Sequence, residues 1–190
     1  MDVDVMEYIT AAWHQLSETL RQKMASYRHA VFIERLGWSL ETPAGHEIDQ
    51  FDRDNTVYVI ATDDQEHIVG VARLLKTTEP YLLSEVFPHL TGGNPLPRRA
   101  DTWELSRFAF TASAAIQRGR YGTEELLDHC LSYARSMGAR KLLTVSPPGI
   151  EKLLRRSRYG VRRLGPTTLC EGEPISAFEI DIPTVALKEA

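Results

Sequence analysis

The chain has 190 residues, 43% of them hydrophobic and 25% charged, which suits one compact domain spanning residues 1–190 with a full core. No run of about 18 apolar residues is present to cross a bilayer, and the acidic start "MDVDVMEYIT" lacks the basic block of a signal peptide, so a cytoplasmic protein with no membrane partner is expected. The net charge of −4 weighs against a nucleic-acid partner, and two cysteines without C-x-x-C spacing and six histidines without metal-ligand spacing lead us to expect no disulfide framework and no metal.

From Leu16 the apolar positions Leu20, Met24, Tyr27 and Val31 recur at spacings of four and three. This is the period of an amphipathic helix, and Gly37 is placed to end it. Such a helix delivers Arg28, Phe32 and Trp38 close together. Residues 40–55, "LETPAGHEIDQFDRDN", hold five acidic residues, Pro and Gly without a sustained period, which predicts a long loop. Two β-rich runs then flank the polar turn "TDDQE" as a hairpin. Residues 78–101 carry four prolines and two glycines and read as a second irregular connection into "TWELSRFAF" at 102–110, a strand.

The segment "GTEELLDHCLSYARSMG" predicts a helix capped at its start by Thr123 and closed by Gly138, with Leu127, Cys130, Leu131, Ala134 and Met137 on one face. A strand "KLLTVS", a helix from about Gly149 to Arg158, and the strand candidates "TTLC" and "ISAFEIDI" finish the chain. This order implies an α/β fold, a mixed central sheet sandwiched by helices, which is also the order of the acetyltransferase-like αβα fold. Fold alone names no reaction.

Charge is uneven along the chain. From Lys152 to Arg163, "KLLRRSRYGVRR" has six basic residues and no acidic one, so it reads either as a docking surface for an anionic partner or as a solvated face.

In "WELSRF", strand alternation puts Glu104 and Ser106 on one face and Trp103, Leu105 and Arg107 on the other. A buried charge is costly unless paired, and Asp49 and Asp52 of the acidic loop, Arg73 of the hairpin and Arg28 are candidate partners. From the charges alone, an ion-pair network that pins the long loops is the alternative to catalysis.

Read together, "YRHAVFIERLGW", "EIDQFD", "YVI", "GVARLLKTTEPYLLSEVFPHL" and "WELSRFAF", in this order and spacing, closely resemble the acyl-homoserine lactone synthases of bacterial quorum sensing, the LuxI-type family. The match is continuous from about residue 28 to 110 and weaker through "VSPPGIEKLLRRSRYGVRRLGP". The resemblance implies that S-adenosylmethionine, a substrate and not a cofactor, is acylated on its amine from acyl carrier protein and then cyclised to a homoserine lactone with release of methylthioadenosine. It places the family's charged and aromatic positions on Arg28, Phe32, Trp38, Asp49, Asp52, Arg73, Phe87, Glu104 and Arg107.

That chemistry explains why these residue types are wanted. An ammonium cannot attack a thioester, so a base must take its proton, and Glu104 is the expected one, directly or through a water. Arg107 and Ser106 complete the expected catalytic set. Arg107 sits on the wrong face of a regular strand, and a β-bulge would turn it toward Glu104. Arginines suit the substrate carboxylate, aspartates its amine, and Phe32 and Trp38 the adenine and sulfonium, although Phe32, Trp38 and Phe87 also read as plain core. The acyl chain is expected against "LLTVS", where Thr144 and Ser146 are candidates to touch its third carbon.

"QRGRYG" at 117–122 fits the phosphate-loop pattern Q/R-x-x-G-x-G/A at Gln117 and Gly122 but has Arg120 at the middle glycine. This departure favours a carrier-protein donor over coenzyme A. Lys152, Arg155 and Arg156, joined by Arg118 and Arg120, form the expected docking face. The alternatives are an N-acyltransferase using acyl-CoA on another amine, or a non-catalytic module that senses acyl chains or S-adenosylmethionine.

Overall fold

The computed structural model describes residues 6–43, 45–111, 119–156 and 159–183. The strands are β1 (Glu7–Ala12), β2 (Val57–Thr62), β3 (Ile68–Lys76), β4 (Thr102–Phe110), β5 (Lys141–Ser146), β6 (Val161–Arg163), β7 (Thr168–Cys170) and β8 (Glu173–Asp181). The helices are α1 (Glu18–Arg28), α2 (Leu82–Glu85), α3 (Gly119–Ser136) and α4 (Pro148–Arg156). The strands form one mixed sheet in the order β1-β2-β3-β4-β5-β8-β6, with β7 paired to β8 off this path. β4 and β5 run parallel, whereas β1 with β2, and β5, β6 and β7 with β8, run antiparallel. The expected mixed sheet with helices is therefore observed, with β1, β6 and α2 added to it.

The chain clusters into two compact units. One is Met1–Arg73 with Arg107–Cys130, and the other is Leu74–Ser106 with Leu131–Ala190.

In the first unit, Ser17 caps α1 by accepting the N–H of Leu20 at 3.2 Å. The period-3.6 face then buries Met24 against Tyr58, Ile60 and Val71, a contact whose loss in Met24→Ala costs about 2–5 kcal/mol. After Arg28 the helix widens into a π turn at His29–Arg35, where the N–H of Leu36 reaches back five residues to the Val31 carbonyl at 3.1 Å. Gly37, at φ +70°, ends it as expected. α3 starts at Gly119, so Thr123 lies inside the helix and does not cap it. Packing accounts for Gly122: a Cβ there would stand 2.1 Å from Cζ of Phe110, whose ring also leaves no room for a Cβ at Gly70.

In the second unit, Trp103 packs edge-on to Tyr133 of α3 at 6.3 Å, and α4 lies against β5, β6 and β8 with Leu154 buried. Of the expected apolar face of α3, Leu127, Cys130, Leu131 and Ala134 are buried, whereas Met137 is half exposed. The connection from 78 to 101 is not wholly irregular, because it folds α2 and a 3-10 turn at Pro88–Thr91.

Candidate active site

The acidic loop of the first unit is drawn in by its own side chains and by the helix before it. The N–H of Glu47 bonds to the Ala25 carbonyl at 3.0 Å, and the carboxylates of Asp52 and Asp49 accept the N–H groups of Asp49 and Phe51, both at 2.8 Å. These local bonds present Glu47, Asp49 and Asp52 to three arginines. Arg28 donates to Glu47 at 2.5 Å and to Asp52 at 2.9 Å, and Arg73 to Asp49 at 2.6 Å and Asp52 at 2.9 Å. Arg107 donates to Glu47 and Asp49, each at 2.9 Å. Three positive and three negative charges thus form one neutral cluster, with Arg28, Arg73 and Glu47 almost wholly removed from water.

The geometry of this cluster fixes its ionisation. Burial pushes the Asp52 carboxyl up, but Arg28 and Arg73 outweigh it and hold it well below the usual carboxylate range. Glu47 is likewise held low, with Arg28 and Arg107 overcoming its burial. The Tyr58 hydroxyl donates to Asp52, and burial followed by the Asp52 charge raises its pKa, so it stays a phenol. Phe51 lies beneath the Arg73 guanidinium at 5.5 Å.

The π turn supplies the aromatic part. The N–H of Trp38 bonds to the Phe32 carbonyl at 2.9 Å, which folds the chain back and stacks the two rings 4.7 Å apart. The Arg107 guanidinium faces both rings, at 5.7 Å from Phe32 and 5.5 Å from Trp38. Arg107 has φ +50°, a conformation costly for a side-chain-bearing residue, and this single left-handed residue breaks the alternation of β4. The irregularity expected at Arg107 is present, but it delivers the guanidinium to Glu47 and Asp49. Within the cluster, Arg28 Nη2 is buried and has no hydrogen-bond partner among the described residues.

Glu104 belongs to the second unit. Its buried carboxylate accepts the N–H groups of Leu82 at 2.8 Å and Leu83 at 2.7 Å, so it holds the first turn of α2. Burial and the Glu104 charge push the Tyr81 phenol up to about 12. Ser106 is buried, and Phe87 is half buried, edge-on to His89 with the ring centroids 6.3 Å apart. Thr144 and Ser146 share a face of β5, their hydroxyls 3.3 Å apart. Because Glu104 pairs with Leu143 and Leu105 with Thr144, that face is the one opposite Glu104.

The basic segment is less free than its sequence implies. Glu151 binds Arg155 at 2.7 Å and also Arg163, and Glu179 binds Arg162 at 2.9 Å. Lys152 is exposed. Arg118 lies outside the described residues, as do the side chains of Arg120 and Arg156. Among the described residues no three His, Cys, Asp or Glu side chains stand together to hold a metal ion, and no helix is long and apolar enough to cross a membrane.

Two members of the cluster were not among the expected site residues. Tyr58 looks like an ordinary strand aromatic in sequence. Glu47 did leave a signal, since it stands two residues before Asp49 and an extended chain turns such a pair the same way.

The family model described as autoinducer synthase matches residues 13–186. An acyl-homoserine-lactone synthase of Acinetobacter nosocomialis is 42% identical over 185 residues, 93% of this chain and 100% of the relative. Among solved structures, TofI in a ternary complex with an inhibitor and MTA is 38% identical, with a TM-score of 0.83 over 93% of this chain and 91% of that one. The CoA-dependent acyl-homoserine lactone synthase MesI is 31% identical, with a TM-score of 0.81 over 94% of this chain and 90% of that one. The family match and these likenesses agree, and the chain belongs to the autoinducer synthase family of acyl-homoserine-lactone synthases.

Proposed function

We propose that this chain makes an N-acyl-homoserine lactone from S-adenosylmethionine and an acyl chain delivered by acyl carrier protein, as a single functional domain acting in the cytoplasm without a further cofactor. The observation that carries the reading is the neutral, buried cluster of Arg28, Glu47, Asp49, Asp52, Arg73 and Arg107 beside the stacked rings of Phe32 and Trp38. A zwitterionic substrate with a sulfonium and an adenine suits such a surface. The leftover Arg28 Nη2 donor suits its carboxylate, Asp49 and Asp52 its amine, and the aromatic faces its cation and base. An internal network serving stability alone would leave that buried donor unmatched, at a cost of about 1–3 kcal/mol.

In the first step the substrate ammonium gives a proton to Glu104, directly or through a water, and the freed amine attacks the thioester carbonyl carbon. The carbon–sulfur bond breaks and the carrier thiol takes a proton. The N–H groups of Leu82 and Leu83, one to each Glu104 oxygen, hold the carboxylate in place for that transfer. Ser106 and Arg107 would steady the developing charge. In the second step the substrate carboxylate oxygen attacks the carbon next to the sulfonium, and methylthioadenosine leaves as a neutral thioether. That step needs orientation more than acid–base help.

On the face of β5 opposite Glu104, Thr144 and Ser146 are proposed to line the acyl chain beyond the thioester carbon that the amine attacks, with Phe87 among the apolar groups of the site. Lys152, Arg155 and Arg156, with Arg118 and Arg120, are proposed to meet the acidic carrier protein. The name of MesI, CoA-dependent, makes the donor the finer question. Mass spectrometry of reactions with S-adenosylmethionine and either acyl carrier protein or coenzyme A thioester decides it. We expect lactone and methylthioadenosine in equal amounts, with the carrier-bound donor turned over faster. An acyl-amine product without methylthioadenosine would replace this reading with simple N-acylation.

A further inference from the structure

The second unit contains a cavity of about 570 Å³ that the proposed synthesis does not use. It opens where β4 and β5 begin and β8 ends, beneath the loop at 94–97. On β5 its walls take Lys141 and Leu143, the residues that alternate away from Thr144 and Ser146. It is therefore on the other face of that strand from the proposed acyl bed.

Its charge is opposite to that of the chain. Arg99, Arg140, Lys141 and Arg162 line it against two carboxylates, Asp101 and Glu179, in a protein of net charge −4. Both carboxylates are already taken. Asp101 is gripped by the Arg99 fork at 2.9 and 2.8 Å, and Glu179 Oε1 holds Lys141 at 2.6 Å and Arg162 at 2.9 Å. Arg140 makes no ion pair among the described residues, although its charge helps hold Asp101 ionised. The walls thus carry two positive charges in excess, in a concavity that concentrates their field.

The rest of the lining sets an apolar wall of Leu96, Pro97, Leu143 and Leu164 beside the polar Thr91, Asn94 and Thr102. A divalent cation would meet the wrong sign. A bare inorganic ion would leave the apolar wall uncovered, and a volume of this size is that of a small-molecule site. We propose that this cavity binds a small organic dianion, a phosphomonoester whose phosphate meets Arg140 and Arg162 and whose apolar body lies on Leu143 and Leu164.

Phenyl phosphate is the probe, titrated calorimetrically into the full chain at low salt. We expect saturable binding of one molecule per chain, weaker binding of the monoanion benzoate, and a loss of about tenfold or more in affinity in Arg140→Gln/Arg162→Gln. Arg140→Gln alone is the companion variant, since the exposed Arg140 has no ion pair to lose and so should fold as the parent does. In the parent, phenyl phosphate should also slow amide hydrogen exchange around residues 94–102. Absence of saturation, or an unchanged affinity in the folded Arg140→Gln variant, would overturn the proposal.

Discussion

The acidic loop and the basic segment are both dense in charge, and water makes them different objects. Around the loop, Arg28 and Glu47 are fully buried and each carboxylate binds two arginines, so no partner can be removed without stranding a charge in a dry place. Along Lys152–Arg163, Arg155 and Arg163 share Glu151 in the open, where water and salt screen them and either partner can be lost cheaply. The same residue types therefore pin a buried loop in one region and stand solvated at the surface in the other.

The sharpest way to break this contrast is to strand a charge deliberately. Asp52→Asn should destabilise the fold by about 3–5 kcal/mol in urea titrations, because Arg28 and Arg73 lose a shared counter-charge. Glu151→Gln should leave the urea midpoint where it is. Equal midpoints for Asp52→Asn and the parent would mean that the cluster is far wetter than its burial implies.

Glu104→Gln follows in size. We expect a loss of about 100-fold or more in turnover with secondary structure retained, the range for a positioned base. Because glutamine offers only one acceptor oxygen to the two N–H groups of α2, stability should also fall by about 1–3 kcal/mol. A folded variant with near-parental turnover would take Glu104 out of the chemistry and leave it as the anchor of α2.

Acid titration separates the regions further. Asp52 and Glu47 have folded pKa values depressed below their unfolded ones, near about 4. Their contribution is therefore complete above pH of about 4 and is lost as pH falls through the folded values. The melting temperature should drop steeply in that acid window, and the drop should be shallower in Asp52→Asn. An identical slope in the two proteins would show that other groups govern acid unfolding.

The smallest effect is expected on the exposed side. Reversing Arg155 and Arg156 to glutamate should raise the apparent KM for acyl carrier protein about three- to tenfold, leave that for S-adenosylmethionine unchanged and weaken the salt dependence. The Arg155–Glu151 pair already cancels part of the field, which keeps the change modest. Parental use of the carrier-bound donor at low salt would reduce the segment to a solvated face.

Much of this was legible in the chain. The strand at 102–110 has the bounds expected from its composition, and Arg28, Asp49, Asp52 and Arg73 meet as their charges demanded. Glu47 had only its spacing from Asp49 as a cue, and that it is buried while Glu41 is exposed follows from the fold. β1 and β6 lie at the two ends of the sheet, and their partners are distant in sequence, so local pattern carries little of their signal. Thr123 looked like a cap because a hydroxyl before an acidic run is a sound local cue, whereas the start of α3 lies four residues earlier. The partners of the basic segment were hidden for a similar reason, since Glu179 reaches it across strands.

The π turn at His29–Arg35 also sets how this region can change over generations. A π turn holds one residue more than the helix around it needs. Losing a residue there would restore ordinary helical bonding at no backbone cost, yet turn all that follows by about 100° and draw it back by about 1.5 Å. Trp38 would leave Phe32, and the chain would enter the acidic loop from the wrong side. Substitutions at the exposed positions of this turn can accumulate freely, but its length is fixed to the residue, and descendants should keep that length while the letters drift.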